Sequence, residues 1–215
     1  MKNKVIIFIV LLFLIVGSTF AQSKYEIYGG VSISNTNRYT NNHQAVNINP
    51  QGSPDYTLRY HLGIQRKLFE FSNLNFQLGL GVASRGCKNY GWQILPIDTI
   101  LDLNLIYLQA PINLNLRLLN GKEYYFIAGL TPSYLLFRYD NIERKLTTPF
   151  VKPSLILWQL EYKLGIRFPV INKLEGQICF NKSITRFLRE RSFNVPTWKD
   201  ASYHHTFDIT LIYKI

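Results

Sequence analysis

The chain has 215 residues, 47% hydrophobic and 14% aromatic, with 24 lysines and arginines against 13 acids. Beyond its first residues no stretch approaches the roughly 18 consecutive apolar residues of a spanning helix, and the histidines His43, His61, His204 and His205 form no metal-ligand spacing of known type. The basic balance favours polyanions, but without a basic run or a reader motif in an exported chain it points away from nucleic acid and towards phosphorylated glycolipid.

Residues 1–21 read as a cleaved secretory signal. Lys2 and Lys4 precede the apolar run Val5 to Val16, and Gly17, Ser18 and Thr19-Phe20-Ala21 supply the small-residue cleavage site. Residues 22–215 are expected to form one all-β domain. Its first strand is Tyr25 to Ser34, where Tyr25, Ile27, Val31 and Ile33 alternate with Glu26, Tyr28, Ser32 and Ser34. A polar loop, residues 35–55, leads to strand two, Tyr56 to Lys67. Residues 68–73 then reverse the chain into strand three, Leu74 to Arg85.

After a second long loop, residues 86–100, the apolar phase changes. Leu101, Leu103 and Leu105 stand at odd positions, and Leu108, Ala110, Ile112, Leu114, Leu116 and Leu118 at even ones. A bulge near Leu105 and Ile106 is expected to absorb the change within this fourth strand. Asn120-Gly121 turns into strand five, Tyr124 to Arg138, which is apolar on both faces. A two-residue turn would put Tyr125 and Ile127 on the apolar exterior, a five-residue one Tyr124 and Phe126.

The clearest alternation is in Ser154 to Phe168. Ile156, Trp158, Leu160, Tyr162, Leu164, Ile166 and Phe168 make one side, and Gln159, Glu161, Lys163, Gly165 and Arg167 the other. This run is long enough to cross a bilayer when tilted about 45°. A five-residue turn, Pro169 to Lys173, leads to strand seven, and a fourth long loop, residues 187–202, to strand eight, Tyr203 to Ile215. The result is an all-β, eight-stranded antiparallel up-and-down transmembrane β-barrel with short periplasmic turns and long extracellular loops. Eight strands leave an interior that side chains fill, so open-pore function is not expected. Cys87 and Cys179 are expected not to pair, because about seven residues of rise, roughly 3.3 Å each, separate their heights and a bridge needs Cα atoms within about 7 Å.

Two sets of residues stand out as candidates. The turn Pro169 to Lys173 sets Phe168 against Leu174, and so Arg167 against Glu175, a lumen ion pair near the periplasmic mouth, with about 0.2–1 kcal/mol expected of it. In the third and fourth long loops Arg144, Lys145, Arg189 and Arg191 are placed to contact glycolipid phosphate or an acidic partner, since arginine suits bidentate phosphate binding.

Tyr107-Leu108-Gln109-Ala110-Pro111-Ile112, followed by Ala128-Gly129 and Ser133-Tyr134 on the next strand, resembles the outer-membrane β-barrel family of Bacteroidota whose best-known branch is PorT-like. The terminal Tyr213-Lys214-Ile215 resembles a barrel-assembly signal. The resemblance implies an outer-membrane location and, for the PorT-like branch, association with type IX secretion. The expected function is non-enzymatic, structural or interactive at the cell surface. The chain is expected to be a monomer without cofactor or metal, its partners lipid, glycolipid and other outer-membrane or secretion proteins. Two alternatives predict different features. A soluble lipocalin-like barrel would turn its apolar faces inward around a ligand. A lipid-modifying enzyme would need a serine–histidine pair, for which Ser183 and His204 are the best candidates, although pairing of Thr185 with His204 would leave Ser183 only diagonal to it.

Overall fold

The computed structural model describes residues 25–39, 56–87, 101–118, 123–142, 154–185, 188–191 and 199–215. They form strands β1 (Tyr25–Tyr39), β2 (Thr57–Phe71), β3 (Leu74–Cys87), β4 (Leu101–Gln109), β5 (Ile112–Arg117), β6 (Tyr125–Ile142), β7 (Ser154–Leu155), β8 (Trp158–Ile171), β9 (Leu174–Ser183), β10 (Leu188–Arg191) and β11 (Lys199–Lys214). β4 and β5 both lie between β3 and β6 and make one stave, interrupted at Ala110 and Pro111. Pro111 has no N–H to give a ladder, but its carbonyl accepts from Gly79 N at 2.8 Å, and Ala110 N donates to Pro132 O at 2.9 Å. With that stave counted once, eight antiparallel staves follow one another in chain order among the described residues. β11 pairs with both β9 and β1, which closes the barrel. β7 and β10 are short rim pieces that continue the wall beside β11.

The distribution of side chains is inverted relative to a water-soluble protein. Leu58, Tyr60, Leu62 and Ile64 on β2 and Phe207, Ile209, Leu211 and Tyr213 on β11 face outward, 41–70% exposed, whereas Arg85, Glu161, Glu175 and Asp208 face inward at 4% or less. An apolar exterior is what hydrocarbon selects, and it excludes the lipocalin-like alternative. Aromatic rings gather towards both ends of the band: Phe69 stacks on Phe76 near the periplasmic turns, and Tyr134 packs edge-on to Trp158 near the outer rim.

The turns are tighter than the alternation suggests. β2 and β3 are joined by Ser72-Asn73 alone, and β8 and β9 by Asn172-Lys173, so the six-residue and five-residue reversals do not exist as such. In each hairpin one extra residue, Leu68 or Val170, bulges from the first strand and restores the phase. Ser72 (φ 50°) and Asn172 (φ 35°) take the left-handed conformation, which small polar residues tolerate and β-branched ones resist. Asn172→Ile should therefore destabilise the barrel by about 1–2 kcal/mol, read as a lower urea midpoint, with Asn172→Gly unchanged or higher. Equal midpoints for the two variants would show that the turn carries no such strain.

The fourth strand does not change phase. Leu103, Leu105, Tyr107, Gln109, Pro111, Asn113 and Asn115 all face the lumen, so the expected bulge at Leu105 and Ile106 is corrected. The bulge lies at the same height on the neighbouring strand: Ile106 pairs with Phe137 and Tyr107 with Leu135, leaving Leu136 extra on β6. The aliphatic pair Leu103 and Leu105 fills the outer end of the lumen instead of facing lipid. β6 resolves in favour of Phe126 outside, with Tyr125 and Ile127 inside, paired opposite Leu116, Arg117 and Asn115. The turn at Asn120-Gly121 lies outside the described residues. Cys87 and Cys179 are buried thiols on β3 and β9.

Candidate functional site

The alternation that turns apolar groups to lipid turns polar ones into the lumen, where they must satisfy one another. Two layers result. In the periplasmic layer Arg167 of β8 is the hub. Its Nη1 and Nη2 donate to Glu26 Oε2 and Oε1 of β1 at 3.0 and 2.7 Å, a fork-on-fork pair, and its Nε and Nη2 reach Glu175 of β9. Nη1 also donates to Gln77 Oε1 of β3 at 3.3 Å. Glu26 accepts further bonds from Gln65 Nε2 (2.7 Å) and Gln77 Nε2 (3.1 Å). Lys214 of β11 completes the charge balance, 2.6 Å from Glu175 and 2.8 Å from Glu123. The hydrogen bond from Lys214 holds Glu123, on the exposed connection before β6, below the usual carboxylate range. One guanidinium thus ties four staves across the barrel.

The second layer lies nearer the cell exterior. Arg85 of β3 faces Glu161 of β8 at 3.4 Å, and Asn181 donates to Asp208 Oδ2 at 2.6 Å and to Thr206 Oγ1 at 3.0 Å. Ser32 Oγ lies 3.0 Å from His61 Nδ1. His61 Nε2 lies 2.8 Å from Thr210 Oγ1, so each ring nitrogen is bonded to a hydroxyl. Histidine here sits between two hydroxyls and not between a serine and a carboxylate. This is the order of a structural relay and not of a nucleophile activated by a base. Beside this layer Tyr107 stands edge-on to His204, and Leu103 and Leu105 are buried farther out on the same strand.

Arg167 and Glu175 meet, although by another route than direct opposition. Arg167 pairs with Gln177 and Pro169 with Glu175, because Val170 bulges, so the ion contact is diagonal. Glu26, Gln77 and Lys214 were not recognised from the sequence as partners of this pair. Their signal is the closing register, in which Glu26 pairs directly with Lys214. Arg189 and Arg191 lie on β10, opposite Ala201 and Lys199, and Arg144 and Lys145 lie outside the described residues. For the enzyme alternative, the expected Thr185–His204 pairing is corrected: His205 pairs with Lys182, which brings Ser183 level with His204. Even so, Ser183 Oγ makes no hydrogen bond, His204 Nδ1 lies 3.3 Å from Thr36 Oγ1, and Thr185 Oγ1 accepts from Leu160 N.

Comparison with known proteins gives the family. Residues 20–189 match the model of the outer membrane protein beta-barrel domain. Among solved structures, Neisserial surface protein A aligns over 90% of this chain and 99% of its own, with 9% identity and a TM-score of 0.50. A major outer membrane protein from Thermus thermophilus covers 90% and 99%, with 11% identity and a TM-score of 0.49. AlkL, an outer membrane protein, covers 92% of each chain with 13% identity and a TM-score of 0.46. At these identities the likeness is one of fold. No curated protein matches the sequence. The chain belongs to the outer membrane protein beta-barrel domain family, and its place is the bacterial outer membrane.

Proposed function

We propose that this barrel conducts nothing of porin size and serves as a rigid mount, holding its outer loops against glycolipid phosphate or an acidic neighbouring outer-membrane protein. The observation that carries the reading is the Arg167 layer: a guanidinium bonded to Glu26, Gln77 and Glu175 spans the lumen from β8 to β1, β3 and β9. An interior spent on cross-links leaves the rim as the part free to act. The basic residues Arg144, Lys145, Arg189 and Arg191 are the groups proposed to make the contact. The partner class includes secretion components of the kind that the PorT-like resemblance implies, as well as surface glycolipid. The lumen offers no comparable case for lipid-modifying chemistry, since Ser183 lacks a hydrogen-bonded base.

Two measurements test this. Reconstituted in planar bilayers, the protein should give no discrete steps of porin size; such steps would overturn the closed-lumen part. Replacing Arg144, Lys145, Arg189 and Arg191 by Gln should leave the heat-modifiable band intact but reduce co-purification of glycolipid, or of a neighbour captured by mild crosslinking of intact cells. Unchanged recovery of both would overturn the contact.

A further inference from the structure

The lipid-facing side of the wall changes character at one register near the cell exterior. Leu164 of β8, Phe180 of β9, Phe207 of β11, Ile33 of β1 and Leu58 of β2 pair one with the next around the barrel, all apolar and 40–70% exposed. Two residues farther out the row reads Tyr162, Lys182, His205 and Asn35, again paired strand to strand. Tyr56, which precedes β2, ends this row with its ring edge-on to that of His205, centroids 6.0 Å apart. Asn35, on the strand between them, is 4% exposed and its Oδ1 accepts from Thr36 N at 2.6 Å. Along β11 the outward residues from Tyr213 up to His205 cover about 20 Å at roughly 3.4 Å per residue and a tilt of about 40°, most of an apolar band about 25 Å tall. The polar row therefore stands at the outer edge of the hydrocarbon.

The row is rich in donors and holds no carboxylate. Lysine offers three N–H, the imidazole at least one, and each tyrosine its O–H. Lys182 and His205 are partly exposed neighbours on adjacent strands, about 5 Å apart at the backbone, and among the described residues Lys182 has neither a hydrogen bond nor an ion pair. The opposite end of the barrel is different. There Lys67, Arg117 and Lys214 each lie within 3.4 Å of Glu70 or Glu123. A lysine stem lies along apolar wall and carries its ammonium into the head-group layer, where the anions are those of the lipid itself. We propose that Lys182 and His205, flanked by Tyr162 and Tyr56, form a binding site for one phosphorylated glycolipid of the outer leaflet. Its phosphate accepts from Lys182 Nζ and the His205 ring N–H, and its acyl chains run down over Phe180 and Phe207. The occupant is a lipid and not free phosphate because the cation stands directly above an apolar row that acyl chains cover. The site is on the barrel wall and needs none of the loop cations proposed above.

The test uses the whole mature protein folded in a neutral detergent and titrated with monophosphoryl lipid A, or with the same lipid after its phosphate is removed, the adduct being read by native mass spectrometry. One adduct per barrel is expected with the phosphorylated lipid and little with the dephosphorylated one. Lys182→Gln should weaken it about tenfold, the loss of one charge-assisted bond. Lys182→Arg should keep it, and His205→Gln should weaken it further in combination with Lys182→Gln; each variant is checked for its heat-modifiable band. Inorganic phosphate in equal excess should not displace the lipid. The variant with Arg144, Lys145, Arg189 and Arg191 replaced by Gln should retain the adduct, which separates this site from the loop contact. Equal adducts in wild type and Lys182→Gln, equal binding of the dephosphorylated lipid, displacement by inorganic phosphate, or loss of the adduct in the loop variant would each overturn the proposal. If Lys182→Gln does not fold, His205→Gln and the dephosphorylated lipid decide it.

Discussion

Arg167→Met is expected to destabilise the barrel by about 3–5 kcal/mol, the cost of removing one partner from a buried ion pair. The reason is in what stays behind. Without the guanidinium, Glu26 at 3% exposure keeps only the amides of Gln65 and Gln77, and Glu175 at 0% keeps only Lys214. Two carboxylates then share a closed space that held four charge-assisted bonds. Removing the carboxylates as well should recover most of the loss: Glu26→Gln, Arg167→Met and Glu175→Gln together leave no unpaired negative charge on these positions, and apolar or neutral replacements of buried ion networks are often close to neutral. Urea unfolding of the folded band in lipid vesicles reads both quantities. Wild-type behaviour of Arg167→Met, or a triple variant no better than the single one, would show that the layer is not what closes this end of the lumen. The ion pair of Lys67 with Glu70 and that of Arg117 with Glu70 make an internal control. They lie at the exposed periplasmic rim, where water and salt screen such pairs and their loss should leave the urea midpoint close to wild type.

The wall of the barrel was legible because hydrocarbon imposes a strict rule on one face. Trp158 to Phe168 alternates without a break, and Tyr162, Leu164, Ile166 and Phe168 lie outside while Glu161 and Arg167 lie inside, as the period of two requires. Bulges were legible only as a change of phase and not as a position. The change between Leu105 and Leu108 looks like a defect in that strand, yet Leu103 and Leu105 are lumen residues and the extra residue is Leu136 one strand away. The apolar outer end of the lumen defeats the rule that inward means polar. At the turns, Leu68 and Val170 are bulges that the sequence does not distinguish from loop residues, because an apolar residue beside a reversal fits either assignment. The lumen network needs more than alternation: Arg167 and Glu175 share a hairpin, but Glu26 reaches them only through the closure of β1 on β11. No local pattern reports that register. The same limit hid the contacts of His61 with Ser32 and Thr210, which join β1, β2 and β11.

Gly30→Val should prevent that closure. Gly30 lies on β1 with β11 on one side and β2 on the other, paired with Thr210 and His61. A Cβ there would run into the carbonyl oxygen of Ile209 and lie 2.8 Å from Thr210 Cα and 2.9 Å from His61 Nε2. The first two are backbone atoms and cannot turn aside, so a branched side chain must push β11 away from β1 and also displace the His61 ring from Thr210. Overpacking of a fitted interior costs about 1–3 kcal/mol where neighbours can shift, and here the shift breaks the ladder on which closure depends. Gly29, one residue earlier and on the lipid side, is the contrast. Its Cβ would meet Leu62 Cδ1 at 3.1 Å, the far end of a flexible side chain, so Gly29→Ala should fold with its heat-modifiable band intact. Refolding into vesicles followed by unboiled electrophoresis separates the two: the Gly30 variant should run only as the unfolded chain. A compact band of normal yield from Gly30→Val would show that the β1–β11 seam has slack the observed spacing does not suggest.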